Sequence, residues 1–541
     1  MEKITHIIAR HPHIFLLLIG AISATGFAPW GLWPFTLMAF AYLIAHIYAA
    51  VSARQAFGAA WIFGVGHFTI GNNWIATAFT FQAAMPAWLG WIAVVLLALY
   101  LALFPAFASL GSYILGQKLK QYFTVGSIPT LSFILIFAGF WTIFEWLRAT
   151  IFTGFAWNPL GVILVDIGGI AQLIGTYGLS LLMIFIAGTL WILARQQYHH
   201  AMIIGGFSMA MLACSAFLTY IGGTSLQIAP KIAQYITVVQ PNIPQSNKYE
   251  ASAEAINYKK LSTLSTASKN APPRLILWPE AAIPWQLESG YPYYAYRGQP
   301  GDSAVASRML LTQLMNKDDV LITGSDRLEF NAQDDVIGAR NSIFAISQNA
   351  DILGKYDKAH LVPYGEYLAL RWLLEPLGLT RLVPGAIDFW QGPGPRTLDL
   401  GRDSHGLHRP KMGVQICYEI IFSGNVIDRK NRPDFIFNPS NDAWFGTWGP
   451  PQHLAQARLR AVEEGLPVIR STPTGISAIV AANGRIVKYI KPGVAGRIDA
   501  PLPPHNAETF FAKWGNIVPL ILALLIIFLG SFWVVRNKYS V

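Results

Sequence analysis

Eight apolar runs, seven before residue 225 and one near the end, constrain this chain more than any other feature. They fall at about 13–31, 34–51, 56–76, 87–112, 126–147, 169–194, 201–221 and 515–535. A helix needs ~20 mostly apolar residues to cross a bilayer, and these runs approach or exceed that length. The run at 56–76 is the most interrupted, by His67, Asn72 and Asn73. Apolar residues make up 53% of the 541 and charged residues 13%, against roughly 25% charged in soluble domains. That much apolar mass exceeds what one soluble core can enclose, since single cores stop growing near ~250–300 residues. The composition excludes a disordered chain, a coiled coil and an ordinary cytosolic enzyme.

The charges indicate an orientation. The net charge of +10 arises from 39 cations and 29 anions, with no Lys/Arg run longer than two. Such scattered cations fit membrane flanks rather than nucleic acid, and no nucleic-acid partner is expected. Lys3, Arg10, Arg54, Lys118, Lys120, Arg195, Arg536 and Lys538 fall in one set of loops and tails. The opposite loops near 27–34 and 77–86 hold no charge, and 148–168 opens with Arg148. The positive-inside rule then makes both termini cytoplasmic and the segment 225–512 extracytoplasmic. The first run resembles a signal peptide, but the second follows at once, which favours an uncleaved helix. The expected organisation is a seven-helix membrane domain over 1–224, an external domain over 225–512, and a last helix with a cytoplasmic tail over 513–541.

The external segment has strand-like runs at Gln234–Gln240, Arg274–Trp278, Val320–Gly324, Ser342–Ser347, Lys411–Ile416, Asp434–Asn438, Pro467–Arg470 and Ile476–Ala481. Asn483-Gly484 marks a hairpin turn. Residues 452–465 carry a helical pattern, with Leu454, Ala457, Leu459 and Val462 apolar. Strands alternating with helices predict an α/β domain.

Three strand ends could carry chemistry. Cys417 follows the apolar run Met412–Ile416 and is the only cysteine of the external domain. A residue just past a strand sits where α/β sites collect. Alone, a buried Cys is more often a small hydrophobe; a nucleophile needs a basic or positive neighbour. Glu280 ends Leu275-Ile276-Leu277-Trp278-Pro279-Glu280, where the apolar Trp278 is expected to raise the carboxyl pKa and make a general base. Lys358, in Tyr356-Asp357-Lys358-Ala359-His360-Leu361, is a cation that could steady an oxyanion. Lys355 is an equal candidate by spacing, and Glu366 could orient Lys358 or form a second carboxylate. Only one other Cys exists, Cys214, and His405 and His408 lie in a Pro/Gly loop with no carboxylate cluster, so neither a metal nor a cofactor is expected. Glu145 and Arg148 could pair across one helical turn.

A Glu, a Lys and a Cys, each after an apolar strand, resemble the Glu–Lys–Cys triad of the nitrilase superfamily. Trp278-Pro279-Glu280, Lys358-x-His360-Leu361 with Gly365-Glu366, Cys417-Tyr418-Glu419, and Asn441-Asp442-Ala443-Trp444-Phe445-Gly446 follow its motifs in order. The resemblance selects Lys358 over Lys355. Together with the membrane helices, Gly26-Phe27-Ala28-Pro29-Trp30-Gly31, Glu145-Trp146-Leu147-Arg148 and Phe152-Thr153-Gly154-Phe155 make the whole chain similar to the apolipoprotein N-acyltransferase family. One departure is Tyr249, where that family is expected to carry Trp after Pro244-Gln245-Ser246.

The resemblance implies a multi-pass helical membrane domain of about eight helices carrying an αββα sandwich. It implies a bacterial inner-membrane enzyme that moves a fatty acyl chain from a phospholipid to the α-amino group of a diacylglyceryl-cysteine at an apolipoprotein N-terminus. Cys417 would form a thioester, Glu280 would act as base, and Lys358 with the Tyr418 N–H would hold the oxyanion. Glu366 and Glu419 would tune the lysine and thiol, Asn341 would seat the lysine loop, and Tyr249 would touch substrate. Tyr291–Tyr296, Leu377-Gly378-Leu379 and Trp444–Trp448 are candidate bilayer-facing loops or domain core. One rival reading is a membrane-tethered amidase or hydrolase of small molecules using the same triad. Another is a transporter or lipid-binding protein without catalysis.

Overall fold

The computed structural model describes residues 11–81, 86–123, 127–222, 227–228, 234–248, 250–377 and 388–538. Lys3, Arg10, Tyr249, Gly378 and Leu379 lie outside the described residues. The eight apolar runs form the helices Pro12–Ser23, Trp33–Tyr48, Ala53–Gly71, Leu89–Tyr122, Thr130–Arg148, Ala171–Ala194, Tyr198–Ile221 and Ile517–Lys538. Among the described residues, five stretches are long and apolar enough to cross a membrane: Leu89–Tyr122, Thr130–Arg148, Ala171–Ala194, Tyr198–Ile221 and Ile517–Val535. Leu89–Tyr122 runs well past the expected end at 112, because its Gln, Lys and Leu residues are good helix formers.

Ala53–Gly71 carries polar residues because they face inward. His67 is buried, with Nδ1 2.7 Å from the Ser23 hydroxyl. The helix lies close against Pro12–Ser23. A Cβ on Gly66 would meet the Leu17 carbonyl oxygen at 2.0 Å, and one on Gly20 would meet that of Phe63 at 2.0 Å. Small residues allow this approach, which polar and van der Waals contacts then stabilise.

The α/β part is a sandwich of two six-stranded sheets. The first has the order Gly496–Pro501, Tyr235–Gln240, Arg274–Leu277, Val320–Phe330, Val336–Ser347, Ile352–Asp357. The second has the order Ile486–Ile490, Ser477–Val480, Val468–Ser471, Phe435–Pro439, Met412–Val414, Thr397–Leu398. The three central strands of the first sheet from Tyr235 run parallel, as do those from Val468 in the second. Between the sheets, Ile236, Leu277, Ile322 and Ile343 share one apolar core with Val414, Phe437 and Ile479. On the outer face of the first sheet, Ile276, Trp278, Leu321 and Phe344 pack with Leu261 and Leu311 of two covering helices, Glu254–Ser265 and Ala304–Thr312. Helix Gly449–Glu464 packs toward the membrane helices, where Leu459 and Val462 cluster with Phe27, Val162 and Ile170. The aromatic segment Trp444–Trp448 docks there as well. Trp444 meets Phe81, Phe445 meets Trp74 and Trp448 meets Trp30, at ring separations of 5.6, 4.8 and 5.7 Å. In the other aromatic loop Tyr296 is buried, whereas Tyr293 and Tyr294 are exposed.

Candidate active site

Parallel strands end at the same edge of a sheet, so the residues just beyond them converge. Arg274–Leu277 delivers Glu280, and Met412–Val414 delivers Cys417. Cys417 opens a tight helical turn, Cys417–Ile421, with φ of +51°. Lys358 follows the end of Ile352–Asp357, where its N–H donates to the Asn341 carbonyl at 2.9 Å.

Glu280, Lys358 and Cys417 meet and are all buried. The Cys417 thiol and the Glu280 carboxylate lie near enough to shift each other's titration. Lys358 Nζ lies 3.4 Å from Glu280 Oε1 and 2.9 Å from Glu366 Oε1. Asn341 Nδ2 donates to both carboxylates, at 2.7 Å to Glu280 and 3.1 Å to Glu366. Glu366 Oε2 accepts from the Val362 N–H at 2.8 Å, which folds the loop around the lysine. Lys355 points elsewhere and pairs with Glu288.

Burial alone pushes the Glu280 carboxyl up. The Lys358 and Lys248 ammoniums, the Asn341 hydrogen bond and the Cys417 thiol outweigh it and leave the group below its ordinary value. This reverses the expectation based on Trp278. That indole faces the helix-covered core and donates to Ser265 Oγ at 2.8 Å. Burial opposes the Lys358 charge, yet Glu366 and Glu280 hold its pKa well above the ordinary value. The Cys417 thiol is pushed up to about 12, first by burial and then by the Glu280 charge, with Lys358 and Ser440 pulling the other way. The resting site is therefore a thiol beside an ionised carboxylate and an ammonium. Such a set can move a proton from sulfur to oxygen only as sulfur bonds carbon.

Glu419 lies behind the nucleophile. Its Oε1 accepts from the Tyr356 hydroxyl at 2.8 Å and the Ala359 and His360 N–H groups at 2.6 and 3.0 Å; Oε2 accepts from the Ile416 N–H at 2.6 Å. It therefore ties the strand before Cys417 to the loop after Lys358. Burial raises its pKa to about 7 against those bonds. Tyr418 turns toward the membrane helices, where its hydroxyl donates to the Gly154 carbonyl at 3.2 Å.

The N-terminal domain of apolipoprotein N-acyltransferase matches residues 19–189, and the carbon-nitrogen hydrolase domain matches residues 235–507. An apolipoprotein N-acyltransferase of Rhodopseudomonas palustris is 34% identical over 95% of this chain and 94% of its own length. This chain belongs to the apolipoprotein N-acyltransferase family. A second member, from Rickettsia bellii, is 31% identical over 96% of this chain and 97% of its own length. The nitrilase-superfamily protein Nit3 of Saccharomyces cerevisiae aligns at TM-score 0.34 and 21% identity, over 51% of this chain and 93% of that one.

In this member of the family, further residues reach the site whose part in it the sequence did not announce, Asp442 of the Asn441–Gly446 motif among them. Lys248 donates to the Glu280 carbonyl at 3.0 Å. His453 Nε2 lies 3.0 Å and Asn438 Nδ2 3.4 Å from the Cys417 carbonyl oxygen. Asp442 and Arg470 form a buried ion pair beside them. Position in the strand Phe435–Pro439 and the helix Gly449–Glu464 brings them together, not spacing from Cys417. Glu145 and Arg148 serve the loop after their helix. Glu145 accepts from the Leu160 N–H at 2.8 Å, and Arg148 donates to the Phe155 and Trp157 carbonyls at 3.0 and 2.9 Å.

Proposed function

We propose that this chain, an N-acyltransferase by its family, transfers a fatty acyl chain from a phospholipid to the α-amino group of a diacylglyceryl-cysteine at an apolipoprotein N-terminus. One observation carries the reading: a buried thiol, carboxylate and ammonium converge in a membrane protein of this family. In the first half, Cys417 Sγ attacks the ester carbonyl carbon while its proton passes to Glu280. The oxyanion is held by the Lys358 ammonium and the Tyr418 N–H, the first orphan donor of its helical turn. The carbon–oxygen bond breaks, Glu280 returns the proton to the departing lysophospholipid oxygen, and a thioester remains. In the second half, the free amine attacks the thioester carbonyl and gives a proton to Glu280. The carbon–sulfur bond breaks and the proton goes to the leaving sulfur. Glu366 and Asn341 hold the lysine and carboxylate in register, and Glu419 holds the two loops together. Residues 1–224 and 513–541 form the membrane part and 225–512 the catalytic part, outside the cytoplasm at the bacterial inner membrane, with both termini inside.

Intact-protein mass after incubation with phospholipid, without acceptor, tests the reading. The wild type gains one fatty-acyl increment that hydroxylamine removes, and Cys417→Ala gains none. A diacylglyceryl-cysteinyl peptide then discharges the adduct onto its amine. If free fatty acid forms faster than acylated peptide, the enzyme is a hydrolase. If no adduct forms with accessible lipid, the thioester route is wrong.

A further inference from the structure

A positive φ at a non-glycine residue is sparsely populated and persists where the surroundings over-determine it. At Cys417, φ is +51°, and its carbonyl oxygen faces His453 Nε2 at 3.0 Å and Asn438 Nδ2 at 3.4 Å. Both side chains are fully buried. A carbonyl only accepts, so His453 Nε2 bears the hydrogen. His453 Nδ1 has two neighbours, the Arg470 guanidinium at 2.9 Å, which only donates, and Asp442 Oδ1 at 3.2 Å, which only accepts; burial and the Arg470 charge disfavour a second proton on the ring, so Nδ1 accepts from Arg470. The other branch of Arg470 donates to Asn438 Oδ1, which turns the Asn438 amide hydrogens toward the Gln415 carbonyl at 2.6 Å and the Cys417 carbonyl at 3.4 Å. One guanidinium thus sets both donors, and Asp442 balances its charge.

The carbonyl of Cys417 and the N–H of Tyr418 belong to one planar, trans peptide, so they point in opposite directions. Fixing the oxygen on the His453 side fixes the hydrogen away from it. We propose that His453 is a positioning residue for the nucleophile: its Nε2–H pins the Cys417 carbonyl, and thereby aims the Tyr418 N–H at the oxyanion site and fixes the backbone that carries the thiol. The membrane part braces the same ring. Trp157, from the loop folded by Arg148, packs on His453 with ring centroids 5.3 Å apart, and its indole donates to Gln452 Oε1 at 2.7 Å. This role rests on the Cys417 thioester of the proposed function.

The test compares His453→Gln, His453→Asn and His453→Leu in the full chain, in lipid-containing micelles. Gln can place an amide N–H near the position of Nε2; Asn places one near Nδ1, too short to reach the carbonyl; Leu places none. Single-turnover acylation is followed by intact mass, together with the KM for phospholipid and the unfolding temperature. The expected result is that Leu and Asn slow acylation about 100-fold, the size of a lost oxyanion donor, with KM unchanged, while Gln recovers most of the rate. Equal rates for Gln and Asn, or a change confined to KM, would overturn the proposal. If His453→Leu unfolds, the Gln and Asn pair still decides. Failure of the wild type itself to form a thioester removes the proposed function instead, and shows on the same spectra.

Discussion

Glu280 shows how far one residue's chemistry depends on neighbours distant in the chain. From the sequence, Trp278 stands two residues away and suggests a raised pKa. In the fold the carboxylate meets Lys358, Asn341 and Cys417, and its backbone carbonyl meets Lys248. Two ammoniums overcome burial, and the group stays ionised below its ordinary value. The positions of Glu280, Lys358 and Cys417 were legible because each follows an apolar strand. The sign of the pKa shift was not, because it is set by groups 32, 61 and 78 residues away along the chain. Lys248 offers a direct test. Its charge helps to lower the Glu280 pKa, and it is not the lysine proposed to hold the oxyanion. Replacing Lys248 with Met leaves burial less opposed, so the carboxyl pKa rises. The base must be ionised to act, so the acid limb of the acylation profile moves to higher pH. The rate at about pH 5 relative to about pH 8 is expected to fall severalfold. A pH profile of single-turnover acylation that keeps its acid limb in Lys248→Met would show that this charge does not tune the base.

At the scale of elements, alternating apolar patterns located the strands, and charge concealed part of them. The strands read at Val320–Gly324 and Ser342–Ser347 extend to Val320–Phe330 and Val336–Ser347. The intervening Asp326, Arg327, Glu329 and Arg340 look like a solvated loop in sequence. Across the hairpin, Arg327 and Arg340 share Glu329 at 3.0 and 2.6 Å, and Arg327 also reaches Asp357 at 2.7 Å. This extension places Asn341 opposite Asp326, inside a strand, and so beside Glu280.

The helix Gly449–Glu464 was legible by its period, but two of its acids were not legible as buried. Glu463 accepts from the Thr176 N–H and hydroxyl, both at 2.7 Å, and from Ser423 at 2.7 Å. Glu464 is fully buried, and neither carboxyl oxygen has a hydrogen-bond partner among the described residues. Burial, then the Glu463 charge, raises its pKa from 4.5 to about 7. Between those values the unfolded chain has released a proton that the folded one keeps, so stability is fullest below 4.5 and falls until about 7. Glu464→Gln cannot ionise and removes this share of the fall; Glu419, also raised to about 7, keeps its own. Unfolding temperature against pH should therefore drop less steeply in the variant. An unchanged slope would place the titration elsewhere.

At the scale of the whole molecule, the α/β part is joined to the membrane helices through buried polar contacts, not through a linker alone. Glu463 reaches Thr176 and Gln452 reaches Trp157 across 287 and 295 residues of chain. No local period announces such pairs, which is why the interface was invisible in sequence while the helices were not. The side of the membrane is a different kind of inference, drawn from cations in short loops. Arg54, Lys118, Lys120 and Arg195 flank the helices at one face, and translocating them is unfavourable. Gln121 belongs to that face at the end of Leu89–Tyr122, whereas Gln333 lies exposed in the hairpin turn of the catalytic part. Cysteines introduced singly at these two positions should therefore react from opposite sides. In spheroplasts, a membrane-impermeant maleimide is expected to label Gln333→Cys at once and Gln121→Cys only after the membrane is opened. The parent chain sets the background, since Cys417 is buried and Cys214 is partly buried within a membrane helix. Labelling of Gln121→Cys in sealed spheroplasts would invert the topology.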